Sequence, residues 1–464
     1  MEVTYYSHAS IQITSTLGVK ILTDPWIFNP IYGNMLWQFP ENKIGLTEYL
    51  KQDILFISHT HPDHYSAETL RLFDRNIPII IQKYTDGTRM KEELNALGFM
   101  NIIELGKKET YRHDDDLRIT LVNDGFIDSV IVVSDGDKSI FNQNDCFLSD
   151  EDLSWIGDNF SIDVACLFFM GVGIFPGSFD MTWEQKVREI DKKRTAAFER
   201  CLKTAKLIGA KKIIPFSSDM TWLRKLDLAR LNGALPVEFR DYCREKDTDL
   251  EILLLSSGEK YSFVEDKSCY TNYFKTKEEM IKAITELRNH PSNVELIQKL
   301  EQYENSFVLD EKRFVRLFNE YCAQEYQKSV PTYSYKKPKE KFKVGWRITH
   351  QDGPTSEYAI EFSPGHFGIT QAGTELDAIK STLHMIIHVE SHLLEMVVAQ
   401  ALTVEDLNNC RYFIWRPGSY TADEDSFWLF LSAFSVFLAD TQQKDLRVPP
   451  PEKGIVTSFL NASK

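Results

Sequence analysis

Two kinds of hydrophobic spacing alternate along the first part of the chain. Short apolar runs at 54–58 and 162–169 are typical of buried strands. The apolar positions of 182–208 instead recur with the period of an amphipathic helix, which Gly209 ends. Because strand patterns and helix patterns follow one another, residues 1–265 are predicted to form an α/β layered domain with a mixed sheet.

The pattern changes twice after this domain. Residues 266–341 contain charged helical patterns followed by a polar, proline-containing linker, which predicts a helical connector. Residues 342–464 contain strand patterns and two helical patterns, over 375–400 and 427–439, which predict a small α+β domain. These three parts also agree with the length of 464 residues, which favours about three domains.

Charge and hydropathy exclude some classes of partner. The run 427–439 is the longest apolar stretch, and its 13 residues are too few to span a bilayer. A buried helix is therefore predicted there, with no integral membrane segment. The net charge of −15 disfavours nucleic-acid binding, because phosphate binding needs a basic surface. It leaves room for a local pocket that binds a small-molecule substrate.

The cysteines indicate a reduced, cytoplasmic protein. There are seven of them, they are scattered, and no C-x-x-C pattern occurs. This distribution is not that of a disulfide framework. It also excludes zinc ribbons and Cys-ligated iron–sulfur clusters.

The main candidate for chemistry is a histidine-rich turn after the strand pattern at 54–58. It reads H-T-H-P-D-H over residues 59–64 and holds three of the eleven histidines. His59 and His61 are two residues apart, so in extended backbone they point the same way and can share one metal ion. Asp63 and His64 follow where the chain turns into a helix, and they face a second metal position beside the first.

This turn, together with S-H-A at 7–9 and D-P-W at 24–26, resembles the metallo-β-lactamase fold superfamily. Further segments over about residues 1–264 are similar to the metallo-β-lactamase-like half of CMP-N-acetylneuraminate hydroxylase. The resemblance implies a metallo-β-lactamase-like αββα sandwich for the N-terminal domain. It also implies a bound metal centre.

The chain departs from the superfamily at two ligand positions. Hydrolases of the superfamily add a His after a later strand and another near the end of the domain, but here those places hold Asn123-Asp124 and the segment 215–219. Asp145 matches the bridging Asp of the superfamily. Asp124 is taken as the substitute for the first missing His, with a plain turn as the alternative. The predicted ligands of one or two divalent metal ions (zinc, or iron or manganese) are then His59, His61, Asp63, His64, Asp124 and Asp145.

Two further residues are similar to elements around the metal in the superfamily. His8 is interpreted as a group that orients substrate or titrates near neutral pH. Asp24 could accept the free N–H of a ligand His and fix its tautomer, or it could form a turn with Pro25.

The last part of the chain offers less chemistry. His384, His388 and His392 would lie on one face of the predicted helix 375–400, and we interpret them as structural rather than metal-binding. A short segment of the C-terminal domain resembles sterol-carrier-type domains, which implies binding of a lipophilic group or formation of a homodimer.

Three functions remain open at this point. The leading one is a metallo-hydrolase in which a metal-bound hydroxide attacks an ester, lactone or phosphoester, with Asp63 as ligand or as the base that holds the hydroxide. The second is a non-haem iron oxygenase. It would need a separate redox partner, because the C-x-H and C-x-x-H spacing of a Rieske cluster does not occur here. The third is a non-catalytic binding or scaffold protein with a decayed metal site.

Overall fold

The computed structural model divides the chain into two compact units. The N-terminal unit comprises Met1–Ile31, Leu36–Val172 and Val187–Glu286, and the C-terminal unit comprises Tyr32–Met35, Gly173–Lys186 and Leu287–Lys464. The residues described are 1–85, 88–125, 127–171, 175–231, 234–246, 248–265, 267–268, 274–328, 342–363, 366–372, 375–407, 411–416 and 422–442. The three-part division at 265 and 341 stays a prediction.

The first seventeen strands belong to the N-terminal unit. They are β1 (Glu2–Ser7), β2 (Ser10–Thr14), β3 (Lys20–Thr23), β4 (Trp37–Gln38), β5 (Ile54–Phe56), β6 (Ile79–Gln82), β7 (Ile102–Leu105), β8 (Glu109–Arg112), β9 (Leu117–Asn123), β10 (Ser129–Asp135), β11 (Lys138–Asn142), β12 (Val164–Phe168), β13 (Lys212–Phe216), β14 (Met220–Thr221), β15 (Glu251–Ile252), β16 (Lys260–Ser262) and β17 (Lys267–Ser268). The helices of this region are α1 (Leu46–Tyr49), α2 (Ala67–Leu70), α3 (Met90–Ala96), α4 (Asp150–Asn159), α5 (Trp183–Ile208), α6 (Leu226–Ala229) and α7 (Pro236–Glu245).

These strands form two large mixed sheets and one small sheet. The first large sheet has the order β17-β16-β1-β2-β3-β5-β6-β7, and the second has the order β15-β13-β12-β11-β10-β9-β8. β4 and β14 pair with each other alone. In the first sheet β3, β5, β6 and β7 run parallel, and in the second β11, β12, β13 and β15 do. The carboxyl ends of parallel strands meet at one edge of a sheet, which is where polar loops can gather.

A continuous apolar core lies between the two sheets. It contains Ile11 and Phe56 from the first sheet and Ile131 and Ile214 from the second, all fully buried. The outer face of the first sheet is covered by α1, α2 and α3, and that of the second by α4, α5 and α7. The predicted αββα sandwich is therefore confirmed.

The C-terminal unit has an α+β architecture, as predicted. Its strands are β18 (Phe342–Thr349), β19 (Thr355–Ser363), β20 (His366–Ala372), β21 (Met385–Glu390) and β22 (Phe413–Trp415), in the sheet order β20-β19-β18-β21-β22. The helices of this part of the chain are α8 (Lys277–Asn289), α9 (Pro291–Glu304), α10 (Glu311–Gln327), α11 (Leu376–Ile379), α12 (Ser391–Val398), α13 (Val404–Leu407) and α14 (Ala422–Gln442).

The longest apolar run of the chain lies in α14 and is buried, as predicted. Phe430 and Phe434 on this helix contact Phe318 and Tyr321 of α10, and Phe318 also packs on Trp346 of the sheet. Among the described residues, no helix is long and apolar enough to cross a membrane.

The prediction of one long helix over 375–400 is wrong. The structure has α11, a short 3-10 turn, β21 and α12 in that region. The segment M-I-I-H-V-E of β21 contains β-branched residues and pairs with β18 on one side and β22 on the other. Sheet pairing with distant strands therefore overrides the local helical pattern.

Candidate metal centre

The predicted site residues come from several different strands that end at one edge of the sandwich. The histidine-rich turn follows β5, and its last residues lead into α2, which Ser66 caps through its side chain. Other site residues lie in the β1–β2 turn and directly after β3, β11 and β13. Because each loop follows a buried strand, the side chains are held by the rigid part of the fold.

His59 and His61 point to a common position, as their spacing predicts. His59 Nε2 lies 2.6 Å from His61 Nδ1. The other nitrogen of the His59 ring, Nδ1, lies 2.9 Å from Ser58 Oγ and 3.3 Å from Asp128 Oδ1. These contacts orient the His59 ring so that its Nε2 faces His61.

The two ring nitrogens of His64 have different surroundings. Its Nδ1 lies 2.8 Å from Asp24 Oδ2, which also accepts a hydrogen bond from the Ser58 hydroxyl at 2.7 Å. His64 Nε2 is buried without a hydrogen-bond partner and lies 3.4 Å from Asp145 Oδ2 and 3.5 Å from Asp63 Oδ2. Asp24 therefore occupies the place predicted for a group that fixes the tautomer of a ligand His.

Asp145 and Asp63 complete the centre with carboxylates. Asp145 follows β11 and accepts a hydrogen bond from the Ser217 hydroxyl at 2.6 Å. Asp63 Oδ2 lies 3.0 Å from Nε2 of His8. Asp63, His64 and His8 are buried, and Asp145 is partly exposed.

The electrostatics of the centre favour a cation. Burial raises the pKa of Asp63, but His64 and His8 lower it by more, so it lies well below its usual value. Burial also raises the pKa of Asp145, and His64 outweighs it, so that pKa falls to about 2. Burial lowers the pKa of His64, whereas Asp63, Asp145 and Asp24 raise it well above its usual value. The carboxylates thus remain ionised and stabilise positive charge among them.

The donor atoms fit a divalent metal ion. His59, His64 and Asp145 each offer one ligand atom, and these atoms lie within 4.8 Å of one another. His8, Asp63 and His64 form a second such group. His64 Nε2 makes no hydrogen bond and lies between the carboxylates of Asp63 and Asp145, so its lone pair, once the ring is deprotonated, could bind an ion held by the same carboxylates. A set of imidazole and carboxylate donors suits zinc, iron or manganese.

Two predicted ligands are not part of these groups. Asp124 is exposed, and its carboxylate accepts the backbone N–H of Asp128 at 3.3 Å. His61 is half-buried and reaches the centre through its contact with His59. The roles of Asp124 and His61 as metal ligands stay predictions.

Four residues near the centre were not predicted from the sequence. Ser58 contacts both His59 and His64, Asp128 contacts His59, and Ser217 contacts Asp145. Asp219 accepts a hydrogen bond from the Tyr5 hydroxyl at 2.7 Å, and burial raises its pKa to about 6. Their positions in the sequence could have indicated these four residues. Each of them is a polar residue next to an apolar strand, at the edge where the histidine-rich turn lies.

Comparison with known proteins gives partial matches. A protein of Mycobacterium tuberculosis named "Putative Rieske 2Fe-2S iron-sulfur protein" is 30% identical over 243 residues, which are 50% of this chain and 46% of that protein. Cytidine monophosphate-N-acetylneuraminic acid hydroxylase of Xenopus laevis is 27% identical over 217 residues, 42% of this chain and 34% of that protein. The chain therefore spans less than half the length of these curated relatives.

A solved structure and a family model cover the N-terminal part. The crystal structure of isothiocyanate hydrolase from Delia radicum gut bacteria is 16% identical with a TM-score of 0.43, and the match covers 58% of this chain and 100% of that chain. Residues 2–142 match the family model of the beta-lactamase superfamily domain. The N-terminal part of the chain thus has the metallo-β-lactamase fold and resembles the corresponding half of CMP-N-acetylneuraminate hydroxylase.

Proposed function

We propose that the chain is a metal-dependent hydrolase that acts on an ester, a lactone or a phosphoester. The observation that supports this most is the convergence of His59, His64 and Asp145 on one position at the edge of the sandwich. A divalent ion held there would lower the pKa of a coordinated water toward neutrality and so supply a nucleophile.

The protein's own groups have distinct tasks in this proposal. Asp24 and Ser58 hold His64 through its Nδ1, so that Nε2 stays available as a ligand. Ser58 and Asp128 hold His59 through its Nδ1, so that its Nε2 also stays available as a ligand. Asp63 stays ionised, so it can bind a cation or hold the attacking hydroxide by accepting a hydrogen bond from it.

The test combines metal content with hydrolysis. Protein purified without added metal is subjected to elemental analysis and is assayed on a nitrophenyl ester, a simple lactone and a nitrophenyl phosphodiester. We expect bound divalent metal, hydrolysis of at least one of these three probes, and less bound metal with loss of hydrolysis in His61→Ala. His113→Ala, which changes an exposed histidine of the same unit, is the matched control. Protein without metal, or a His61→Ala variant as active as the native protein, would refute the proposal.

A second candidate function is an iron-dependent oxygenase. The similarity to a hydroxylase and to a protein named as a Rieske iron–sulfur protein supports it, and so does the mixed His and Asp donor set. Such an enzyme would take electrons from a separate protein. Iron in the purified protein with oxygen-dependent product formation would favour this function. Zinc with turnover under anaerobic conditions would eliminate it.

A further inference from the structure

His8 has a backbone conformation that residues other than glycine rarely adopt. It lies in the turn between β1 and β2 with φ of 52°. Three other non-glycine residues with positive φ, Asp24, Asn144 and Ser217, also lie in or next to the metal centre. Such a conformation is strained and persists only where the surrounding structure enforces it.

Hydrogen bonds to the backbone enforce this conformation. The carbonyl of His8 accepts hydrogen bonds from the Ser217 N–H at 3.0 Å and from the Tyr5 hydroxyl at 3.2 Å. The N–H of His8 points to Asp219 Oδ2 at 3.5 Å. The backbone of His8 is therefore fixed from both sides, and its side chain has a defined direction.

The side chain of His8 points toward the carboxylate of Asp63. His8 Nε2 lies 3.0 Å from Asp63 Oδ2 and 3.5 Å from Ser217 Oγ, and Asp63 Oδ2 lies 3.5 Å from His64 Nε2. In a tetrahedral site with bonds of about 2.0–2.1 Å, neighbouring ligand atoms are about 3.3–3.4 Å apart. The two distances from Asp63 Oδ2 are close to this value, and the ligand atoms of all three side chains lie within 4.8 Å of one another. Their exposure is 1% for His8, 3% for Asp63 and 0% for His64.

The position of His64 Nε2 supplies a second observation. This nitrogen is buried, makes no hydrogen bond, and lies 3.5 Å from Asp63 Oδ2 and 3.4 Å from Asp145 Oδ2. Its Nδ1 is occupied by Asp24, so His64 has one nitrogen available for a metal ion. Because one imidazole nitrogen binds one ion, His64 can serve only one of the two possible groups of ligands. If His64 joins His8 and Asp63, then His59 and Asp145 remain from the other group, and His61 lies beside His59.

We propose that His8 is a metal ligand, and that it holds a second divalent ion together with Asp63 and His64. The inference rests on the metal-dependent function proposed above and goes beyond it, because it assigns His8 as the third ligand of the position that Asp63 and His64 face. His8 thereby takes over a ligand position from the segment 215–219, whose Ser217 bonds to its backbone. This role is an alternative to the sequence interpretation of His8 as a substrate-orienting or titrating group.

A matched pair of substitutions separates a ligand from a hydrogen-bond donor. His8→Gln keeps a side chain that can donate to Asp63 but binds zinc poorly, whereas His8→Glu has nearly the same size and supplies a carboxylate ligand. The purified native protein and both variants are loaded with Zn²⁺ and dialysed. Bound zinc is measured by elemental analysis, and affinity by calorimetric titration. Thermal unfolding followed by circular dichroism checks that both variants fold, and His113→Gln is the control.

We expect two zinc ions per native chain, two in His8→Glu and one in His8→Gln, with the second site of His8→Gln weakened at least about 100-fold. Two ions in His8→Gln, or a single ion in the native chain, would overturn the role of His8. Different results would refute the metal-dependent function itself. These are a native chain that binds no metal, or a His61→Ala variant that is as active as the native protein.

Discussion

The chain contains two groups of three closely spaced histidines, and they have different structural outcomes. One group converges with carboxylates from other strands, and the other does not form a metal-competent cluster among the described residues. The N-terminal histidine group is His59, His61 and His64, and the C-terminal histidine group is His384, His388 and His392.

The two groups differ in where the backbone places them. The N-terminal group lies in one loop at the carboxyl end of a parallel strand, where the loops after other strands of both sheets also end. The C-terminal group is divided among three places: His384 directly precedes β21, His388 lies inside β21, and His392 lies in the first turn of α12. Only the first arrangement lets residues distant in sequence contribute side chains to one position.

Each member of the C-terminal group has a local structural partner. His384 Nδ1 accepts the backbone N–H of Lys343 at 3.1 Å, and the His388 ring packs against Phe413. His392 Nε2 lies 3.4 Å from a carboxylate oxygen of Glu390. Close spacing of histidines is therefore insufficient evidence for a metal site, and the convergence of carboxylates from other strands is the stronger criterion.

The largest effect is expected from a ligand of the N-terminal group. His59→Ala removes a nitrogen that faces His61, and the zinc affinity should fall by more than about 100-fold, since loss of a partner that only supports a ligand already costs about 10–100-fold. Calorimetric titration with Zn²⁺ measures this loss, with His113→Ala as the control. If His59→Ala bound zinc as tightly as the native protein, the N-terminal histidine group would be no more of a metal site than the C-terminal group.

A smaller effect is expected from Asp24→Asn. The amide keeps an acceptor for Ser58 but removes the carboxylate that orients His64, so zinc affinity should fall about 10–100-fold. The matched control is Asp135→Asn, because Asp135 is also a buried acceptor but bonds to Thr16 instead. Equal affinities of the two variants would show that Asp24 does not support a ligand.

The C-terminal group should affect stability rather than metal binding. Burial, with the nearby Arg347, lowers the pKa of His388, so below pH 6.5 the unfolded chain binds more protons at this position than the folded chain. The native protein should therefore lose stability relative to His388→Gln as the pH falls from 7 to about 5. Because His388 is only half-buried, solvent screening keeps the difference below about 1 kcal/mol. Urea unfolding at both pH values measures it, and a difference of the opposite sign would contradict the burial effect.

No effect on metal binding is expected from the double variant His384→Ala/His388→Ala. These side chains bond to or pack on neighbours within their own sheet and lie in no metal-competent group of the described residues. Zinc stoichiometry and affinity should equal those of the native protein. Loss of one zinc ion would mean that the C-terminal group is also a site.

Local patterns predicted those parts of the molecule that depend on local sequence. The helical period of 182–208 corresponds to α5, the apolar run 427–439 lies in α14, and the spacing of His59 and His61 places their nitrogens together. The αββα sandwich was expected from the resemblance of the motifs to the metallo-β-lactamase superfamily, whereas the local patterns alone predicted only an α/β domain with a mixed sheet.

Contacts between distant segments could not be predicted in this way. Asp124 and Asp128 lie in the same short connection between β9 and β10, and spacing does not decide which of them reaches His59. The contacts of His8 with Asp63 and Ser217 depend on the pairing of β1 with β2 and on the position of β13 in the other sheet. β21 was missed for the same reason, since its partners are strands elsewhere in the sequence.

The central claim is that a divalent metal ion binds at the sheet edge where the histidine-rich turn meets the carboxylates. The most direct test is a crystal structure of zinc-loaded protein with anomalous diffraction data collected at the zinc edge. We predict anomalous density within about 2.0–2.3 Å of His64 Nε2 and of a carboxylate oxygen of Asp63 or Asp145. Zinc-loaded crystals without anomalous density at this edge, or with density at the C-terminal histidine group instead, would contradict the account.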